Sequence, residues 1–411
     1  MIACPDCGTL QELPRLPLGA AAICPACDSH LERTSGRSVV AAFSCAFSTF
    51  VLLFPANLLP LMSVGMLGTH RSSHIASGVT MLWTHQHPLV AALVCAFVIV
   101  FPFLRFGILS VVLGCVLLRT VPRWLGRAFR WTQHLDLWAM PDVFLIATAV
   151  GYSRVRANLP VTIHWGGVCF IAAALLCMLS RATLDRRTVW RAVGGERNAS
   201  GDRPIISCTS CDLVVPAERE GTACPRCALR LSARRPDSVL RTVALGTAAA
   251  ALYLPANIYP MSTDLQMGHL VPHRIIDGIR ELIQAGLWPL AILISCTSIA
   301  IPALKLAGLG WFVVSVRRRS PTPREWLVRK TKLYRLIDEI GRWSNVDVFT
   351  VAVFLPLLQF GSLATASAGT GEPAFLLVVV LTMIASRAFD PRLLWDAAEG
   401  AAEGAAEGAP A

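Results

Sequence analysis

Long apolar runs separated by short polar stretches set the pattern of this chain. Crossing a hydrocarbon core takes ~20 helical residues, and runs of about that order lie at 38–62, 88–118, 138–157 and 163–181. They return at 238–261, 286–316, 345–363 and 373–388, the last being the shortest. The pattern predicts an all-α polytopic membrane protein with eight transmembrane helices. A polar segment carrying four cysteines precedes the first run, and another precedes the fifth.

The runs also repeat, at an offset near two hundred residues. Pro55-Ala56-Asn57 with Pro60 recurs as Pro255-Ala256-Asn257 with Pro260, and Pro102 followed by Arg105 recurs as Pro302 followed by Lys305. Trp138 and Asp142-Val143-Phe144 return as Trp343 and Asp347-Val348-Phe349. An internal duplication is the simplest account. Four spans per half is an even number, so the halves keep one orientation and are related by an axis along the membrane normal. The expected organisation is a cysteine segment over 1–36, a transmembrane repeat over 37–192, a second cysteine segment over 203–235 and a second repeat over 236–390. A low-complexity tail over 391–411 follows; from Ala397 it repeats Ala-Ala-Glu-Gly and ends near Pro410, with no apolar face to bury.

Composition agrees with this pattern: 54% of residues are hydrophobic and 15% charged, against about a quarter charged in a soluble domain. The net charge of +11 sits in short stretches beside the apolar runs, as membrane topology demands, so no nucleic-acid partner is expected. Arg119, Arg123, Arg127 and Arg130 follow the second run, Arg181, Arg186, Arg187 and Arg191 the fourth, and Arg317, Arg318, Arg319, Arg329, Lys330 and Lys332 the sixth. The alternate loops carry fewer, such as Arg71, Arg154, Arg156, Arg274 and Arg280. The positive-inside rule then puts both cysteine segments and both termini in the cytoplasm. The chain opens on Cys4 and Cys7 instead of a basic stretch and a short apolar run, so the first span is expected to be retained. Trp124, Trp131 and Trp138, seven residues apart among arginines, suggest a helix anchored at the headgroups.

Eight of the fourteen cysteines form Cys-x-x-Cys pairs: Cys4 and Cys7 with Cys24 and Cys27, then Cys208 and Cys211 with Cys224 and Cys227. Two tight knuckles offering four thiolates are what a tetrahedral zinc ion needs, and Cys-Pro-x-Cys in three of the four knuckles strengthens that reading. A redox Cys-x-x-Cys normally stands alone, and a rubredoxin-like iron site is the other alternative. A closed four-thiolate site leaves no position for a reactive water. Two structural zinc sites are therefore expected, with a role in docking or in coupling the halves.

Arg105 and Lys305 lie more than ten residues from either end of their runs, which at 1.5 Å per residue places them well inside the membrane. An isolated cation there costs at least ~2.5 kcal/mol, so each should face a carboxylate, carbonyls or a wet cavity; Asp142 and Asp347 are the expected partners. Those aspartates also suit the start of a helix, after Pro141 and Asn345, and both roles stand open. Pro55, Pro60, Pro255 and Pro260 withdraw backbone donors near the ends of the first and fifth spans. Asn57 and Asn257 can replace some of the lost bonds, shaping a cavity or ending a helix. His70 and His74, echoed by His269 and His273, are read as solvated loop residues rather than as a second metal site.

The paired cysteine segments, the Pro-Ala-Asn-x-x-Pro turn and the Trp-x-x-x-Asp-Val-Phe segment, each present twice, resemble the paraquat-inducible protein A family over nearly the whole chain except the tail. Departures are few: the third knuckle, Cys208-Thr209-Ser210-Cys211, lacks proline, and the first ribbon has a longer loop between its knuckles. The resemblance implies an inner-membrane component of a Gram-negative envelope system, working with a periplasm-spanning MCE-domain protein that forms a tunnel for phospholipids. It implies zinc ribbons at the eight paired cysteines and an intramembrane polar network at Lys305, Asp142 and Asp347, with Arg105 as the first-half counterpart. No Gly-x-x-x-x-Gly-Lys-[Ser/Thr] loop and no catalytic set is present, so no enzymatic role is expected and energy would come from the proton gradient or from elsewhere. The alternatives are a zinc-thiolate redox or stress sensor and a small-molecule exporter.

Overall fold

The structure, a computed structural model, describes residues 2–12, 16–17, 19–33, 38–66, 69–84, 87–156, 159–194, 205–266, 269–319, 322–357 and 364–407. Among these, seven helices are long and apolar enough to cross a membrane: Val39–Leu58, Pro88–Leu117, Leu125–Ser153, Trp165–Thr183, Ser238–Ile258, Trp288–Arg318 and Gly371–Ala388. The run over 345–363 is helical over Val346–Leu357, and 358–363 lies outside the described residues. The chain is a mostly helical, multi-pass membrane protein.

In the first half, α1 (Val39–Leu58) leads through strands β5 (Met62–Met66) and β6 (Thr69–Ser73) to the short helix α2 (Ile75–Thr84). Then come α3 (Pro88–Cys95), a wide-turn segment Ala96–Val100, α4 (Phe101–Leu117), α5 (Leu125–Trp138), α6 (Pro141–Arg156), β7 (Val161–Ile163), α7 (Trp165–Thr183) and α8 (Arg186–Val193). The second half runs α9 (Ser238–Ile258), β10 (Ser262–Gln266), β11 (His269–His273), α10 (Ile275–Gln284), α11 (Trp288–Ile294), a wide turn at Ser295–Ala300 and α12 (Ile301–Arg318). It continues through α13 (Arg324–Ile340), a tight turn Gly341–Asn345, α14 (Val346–Leu357), β12 (Ala364–Ala368), α15 (Gly371–Ala388) and α16 (Arg392–Glu407). Strands β1 (Ile2–Ala3), β2 (Leu10–Gln11), β3 (Ala21–Ile23) and β4 (His30–Arg33) form two hairpins before α1, and β8 (Ile205–Ser207) pairs with β9 (Val214–Pro216) before α9.

Local chemistry accounts for the boundaries. Ser38 caps α1 through Oγ, accepting from Ala41 N, and Asp185 caps α8, accepting from Arg187 N at 3.0 Å. Pro102 and Pro302 lack the N–H that an α-turn requires, and the chain widens just before them. Phe101 N reaches back to Ala96 O and Ile301 N to Cys296 O, five residues each, as π-turns do. The widened turns free carbonyls for other donors: Met140 N donates to Phe97 O at 3.2 Å, and the Tyr253 hydroxyl to Ile299 O at 3.1 Å.

Between the apolar runs lie two small antiparallel sheets, ordered β6-β5-β7 and β11-β10-β12, each joining the loop after one span to the loop before another. His70 therefore lies in a strand, paired with Gly65, and His273 is in β11, paired with Ser262. Each sheet is fixed by glycines at the start of the following helix. A Cβ on Gly166 would meet Leu59 O at 2.5 Å and one on Gly371 would meet Tyr259 O at 2.7 Å, so α7 and α15 rest directly on the turns after α1 and α9.

The largest core draws on both halves. Phe144 of α6 and Phe349 of α14 meet edge-on with centroids 5.8 Å apart, and Asn345 Nδ2 lies 3.1 Å from Met140 Sδ. A Cβ on Gly78 of α2 would sit 2.1 Å from Ala352 O, so α2 of the first half packs on α14 of the second. In the mirrored sense, Leu282 of α10 clusters with Val150 of α6.

Candidate functional site

The four knuckles share one backbone geometry. In each, the first cysteine N donates to the carbonyl five residues on, as Cys4 to Thr9, Cys24 to Ser29, Cys208 to Leu213 and Cys224 to Leu229, at 2.7 to 2.9 Å. The residue after the second cysteine, Gly8, Asp28, Asp212 or Ala228, takes positive φ and bonds back to the first cysteine. That left-handed residue turns the chain so that both thiols face one point. Cys4 Sγ lies 3.5 Å from Cys27 Sγ, Cys7 3.6 Å from Cys24, Cys208 3.6 Å from Cys227 and Cys211 3.6 Å from Cys224.

Within each cluster all four sulfurs lie within 4.8 Å of one another. Ligands of a tetrahedral ion with Zn–S near 2.3 Å stand about 3.8 Å apart, so both sets fit a four-coordinate thiophilic metal. Four thiols this close cannot all ionise by themselves. Hydrogen bonds from Cys27 and Cys4 hold Cys7 down at about 4, and the same contacts with Cys4 and Cys7 push Cys27 up. A divalent cation takes all four as thiolates. Among the described residues these two clusters are the sets of three or more metal-ligating side chains; His70 and His74 belong to no such group.

The first ribbon packs on the second half: its four cysteines and Leu31 share a core with Phe312, Leu327, Tyr334, Phe389 and Trp395. Polar contacts hold it there, Arg335 to Asp6 at 2.9 Å, Lys332 to Asp28 at 3.2 Å, and Arg324 to the Ala26 carbonyl. The second ribbon packs on the first half, its cysteines clustering with Leu125, Phe129 and Trp190. A Cβ on Gly126 would lie 1.9 Å from Arg226 O, between two of its ligands. Arg392, opening α16, joins both ribbons by donating to Pro5 O and Ser207 Oγ. Leu394, Trp395 and Ala398 of α16 are buried, so the segment from 391 begins as a packed helix.

Inside the helices, Arg105 pairs with Asp136 of α5 at 2.6 Å rather than with Asp142, and its NH1 lies 3.7 Å from Cys177 Sγ. Cys177 is six residues, about 9 Å, from the end of α7, so the guanidinium lies within about two turns of the C-terminal end of that helix. Arg181 bridges Asp136 at 2.8 Å and Asp142 at 2.5 Å, and donates to the Ala139 carbonyl. Arg342 of the second half stands 3.8 Å from Asp142. A chain of alternating charges thus runs Arg105, Asp136, Arg181, Asp142, Arg342 and links the halves.

Lys305 sits apart, 1% exposed, donating to Thr382 Oγ1 at 2.9 Å. Asp338 of α13 binds Arg387 at 3.1 Å and accepts from Ser386 Oγ at 3.2 Å. Asp347 is buried in the first turn of α14. Asn57 Nδ2 donates to Leu53 O and Asn257 Nδ2 to Tyr253 O, both at 2.8 Å. The carbonyls that Pro55 and Pro255 leave without an intrahelical donor are those of 51 and 251, so the asparagines reinforce the neighbouring turn. Pro60 and Pro260 lie just past the helix ends, under Gly166 and Gly371.

Nothing local in the sequence marks Asp136 and Arg181 as partners of Arg105. Arg181 reads as one of several topology-setting arginines, and Asp136 lies in a polar helix. The clue was Asp136 on the buried side of α5, four residues from Thr132 and one from Leu135. Of the three tryptophans there, Trp124 and Trp131 are exposed, but Trp138 stacks on Phe97 at 5.5 Å, so α5 descends from the surface to the wide turn in the preceding helix.

Comparison with known proteins gives this arrangement a context. The chain is 29% identical over 408 residues to intermembrane transport protein PqiA of Escherichia coli, covering 96% of this chain and 95% of that one. It is 26% identical over 405 residues to lipophilic envelope-spanning tunnel protein A of Escherichia coli, covering 96% and 91%. It is 24% identical over 412 residues to a probable intermembrane transport protein of Haemophilus influenzae, covering 96% and 95%. No solved structure matches. The model of the family described as paraquat-inducible protein A matches twice, at residues 40–194 and 239–399, and the chain belongs to that family.

Proposed function

We propose that this protein is the inner-membrane component of an intermembrane phospholipid transport system, passing lipid to or from a periplasmic MCE-domain tunnel protein. The observation that carries the reading is end-to-end similarity to transport proteins whose names place them between membranes or across the envelope. In this reading the chain has eight spans in two parallel four-helix repeats. The twofold family match supports it, as does the meeting of Phe144 with Phe349, since equivalent residues touch one another beside a twofold axis. The eighth span in this reading is the apolar run over 345–363, within which α14 covers Val346–Leu357.

Zinc is the proposed ion at both cysteine clusters, where it is structural: closed four-thiolate sites order each ribbon without offering a reactive position. The arginine distribution supports cytoplasmic ribbons and termini. Because each ribbon packs on the other half, the pair ties the two repeats together at that face. Near-complete burial of all eight ligands disfavours the redox-sensor alternative, which needs accessible thiolates.

Lys305, with Asp347, is the proposed site through which the proton gradient drives transfer, Lys305 being a cation buried inside the second half. Purification from native membranes in mild detergent, with mass spectrometry for phospholipid, zinc and MCE protein, tests the assignment. Recovery of all three is expected; zinc without lipid or MCE protein would overturn it.

A further inference from the structure

The two halves differ at equivalent positions around their buried cations. Trp138 matches Trp343 and Phe144 matches Phe349, and Gly166 and Gly371 rest on equivalent turns, all at an offset of 205 residues. At that offset Cys177 answers to Thr382, and the contacts agree: Arg105 reaches Cys177 as Lys305 reaches Thr382. The acids and bases around them do not agree. Asp136 is replaced by Gly341, and Arg181 by Ser386. The first half holds its cation in a closed chain of ion pairs, whereas the second half has removed the acid, and the Lys305 amine lies where a Cβ on Gly341 would come within 2.8 Å of Nζ.

A second, independent difference lies at the outer end of the same helix pair. Gly167, near the start of α7, is answered by Glu372 in the first turn of α15. Glu372 is fully buried, and among the described residues neither carboxylate oxygen has a hydrogen-bond partner. An ionised carboxylate without partners in an apolar surrounding is far costlier than a neutral acid. At this end the elements packed around α15 bring Tyr259, at the end of α9 against Gly371, and His87, ahead of α3, whose Nε2 lies 3.2 Å from Ala368 O. Lys305 of α12, Asp338 of α13, Arg342 of the tight turn and Asp347 of α14 lie toward the other end. Among the described residues none makes an ion pair with Glu372 within 4.0 Å.

We propose that protons pass through the second half alone, with Glu372 as a proton-carrying group at its outer end, and that the first half's ion-pair chain is a permanently charged brace. At rest Glu372 is a neutral carboxylic acid. When its end of α15 opens to water, the carboxyl releases that proton to water, or takes one up again, with no other bond changed. Lys305 lies at the level of Thr382, ten residues or about 15 Å along α15, and is the inner station. The inference rests on the proton-driven reading and goes beyond it by excluding half the molecule and adding Glu372.

The test uses the full chain in vesicles of phosphatidylethanolamine and phosphatidylglycerol, in two measurements. Infrared spectroscopy should show the carbonyl band of a protonated acid free of hydrogen bonds, and Glu372→Gln should remove it while zinc content stays the same. Fluorescent phosphatidylethanolamine delivered to a soluble MCE-domain acceptor should move faster under a pH gradient. In Glu372→Gln, and in Gly341→Asp, which rebuilds the first-half pair at Lys305, the gradient should no longer change the rate. Absence of the band, or a gradient response surviving in Glu372→Gln, overturns the inference. A wild-type protein that transfers lipid with no gradient response overturns the underlying proton-driven reading instead, and the path falls with it.

Discussion

Seating of the second ribbon on the first half depends on a single glycine. In Gly126→Ala the new Cβ would lie 1.9 Å from Arg226 O and 3.1 Å from Val193 Cγ1, and to reach an ordinary contact of 3.4 Å the carbonyl must recede by 1.5 Å. Arg226 stands between the ligands Cys224 and Cys227, so the knuckle moves as a unit away from α5 and away from the packed pair Phe129 and Trp190. Overpacking of this kind costs ~1–3 kcal/mol, which shifts the docking equilibrium by about 5- to 150-fold. Hydrogen exchange over residues 205–231 in the purified protein reads the shift directly. Protection there should fall while zinc content is retained, because the ligands themselves are untouched. Gly246→Ala, with nothing within 4 Å of the added carbon, is the control and should leave protection unchanged. Equal protection in Gly126→Ala and wild type would refute the docking of this ribbon on α5.

Three further outcomes follow from the same geometry. Asp136→Asn removes the carboxylate shared by Arg105, Arg181 and Arg186 and should cost about 3 kcal/mol or more, whereas Asp142→Asn leaves Arg181 its second acid and should cost less; thermal unfolding in detergent ranks the two. Cys24→Ser should lower bound zinc from two ions per chain to one, read by elemental mass spectrometry, because each cluster closes independently. Trp395→Ala deletes a buried indole whose Nε1 donates to Thr331 Oγ1 and should cost ~3–5 kcal/mol, freeing the first ribbon to proteolysis more than the second.

How much was legible in the sequence varies with the range of the interactions. Cysteine knuckles are local, and their spacing states the ligand geometry before any fold is known. Membrane helices are legible because lipid demands long apolar runs. The sheets were not, because their strands occupy the short stretches between apolar runs, and strands of three to five residues carry no clear alternation. The ion-pair chain was half legible: Arg105 stood out as a buried cation, but its partner came from Asp136, brought alongside by α5 descending next to α4. Pairing Arg105 with Asp142 assumed that the acid inside a span is the nearer one. Crosswise docking of the ribbons was outside reach altogether, since it depends on tertiary contacts between segments some three hundred residues apart, such as Lys332 with Asp28.

Passage of phospholipid between the bilayer and an MCE-domain protein is the central claim, and reconstitution measures it most directly. Vesicles containing the purified protein and fluorescent phosphatidylethanolamine are mixed with a soluble MCE-domain acceptor, with and without an imposed pH gradient, and labelled lipid on the acceptor is followed over time. The account predicts transfer that requires the protein and accelerates with the gradient. Labelled lipid reaching the acceptor at the same rate from protein-free vesicles would contradict it.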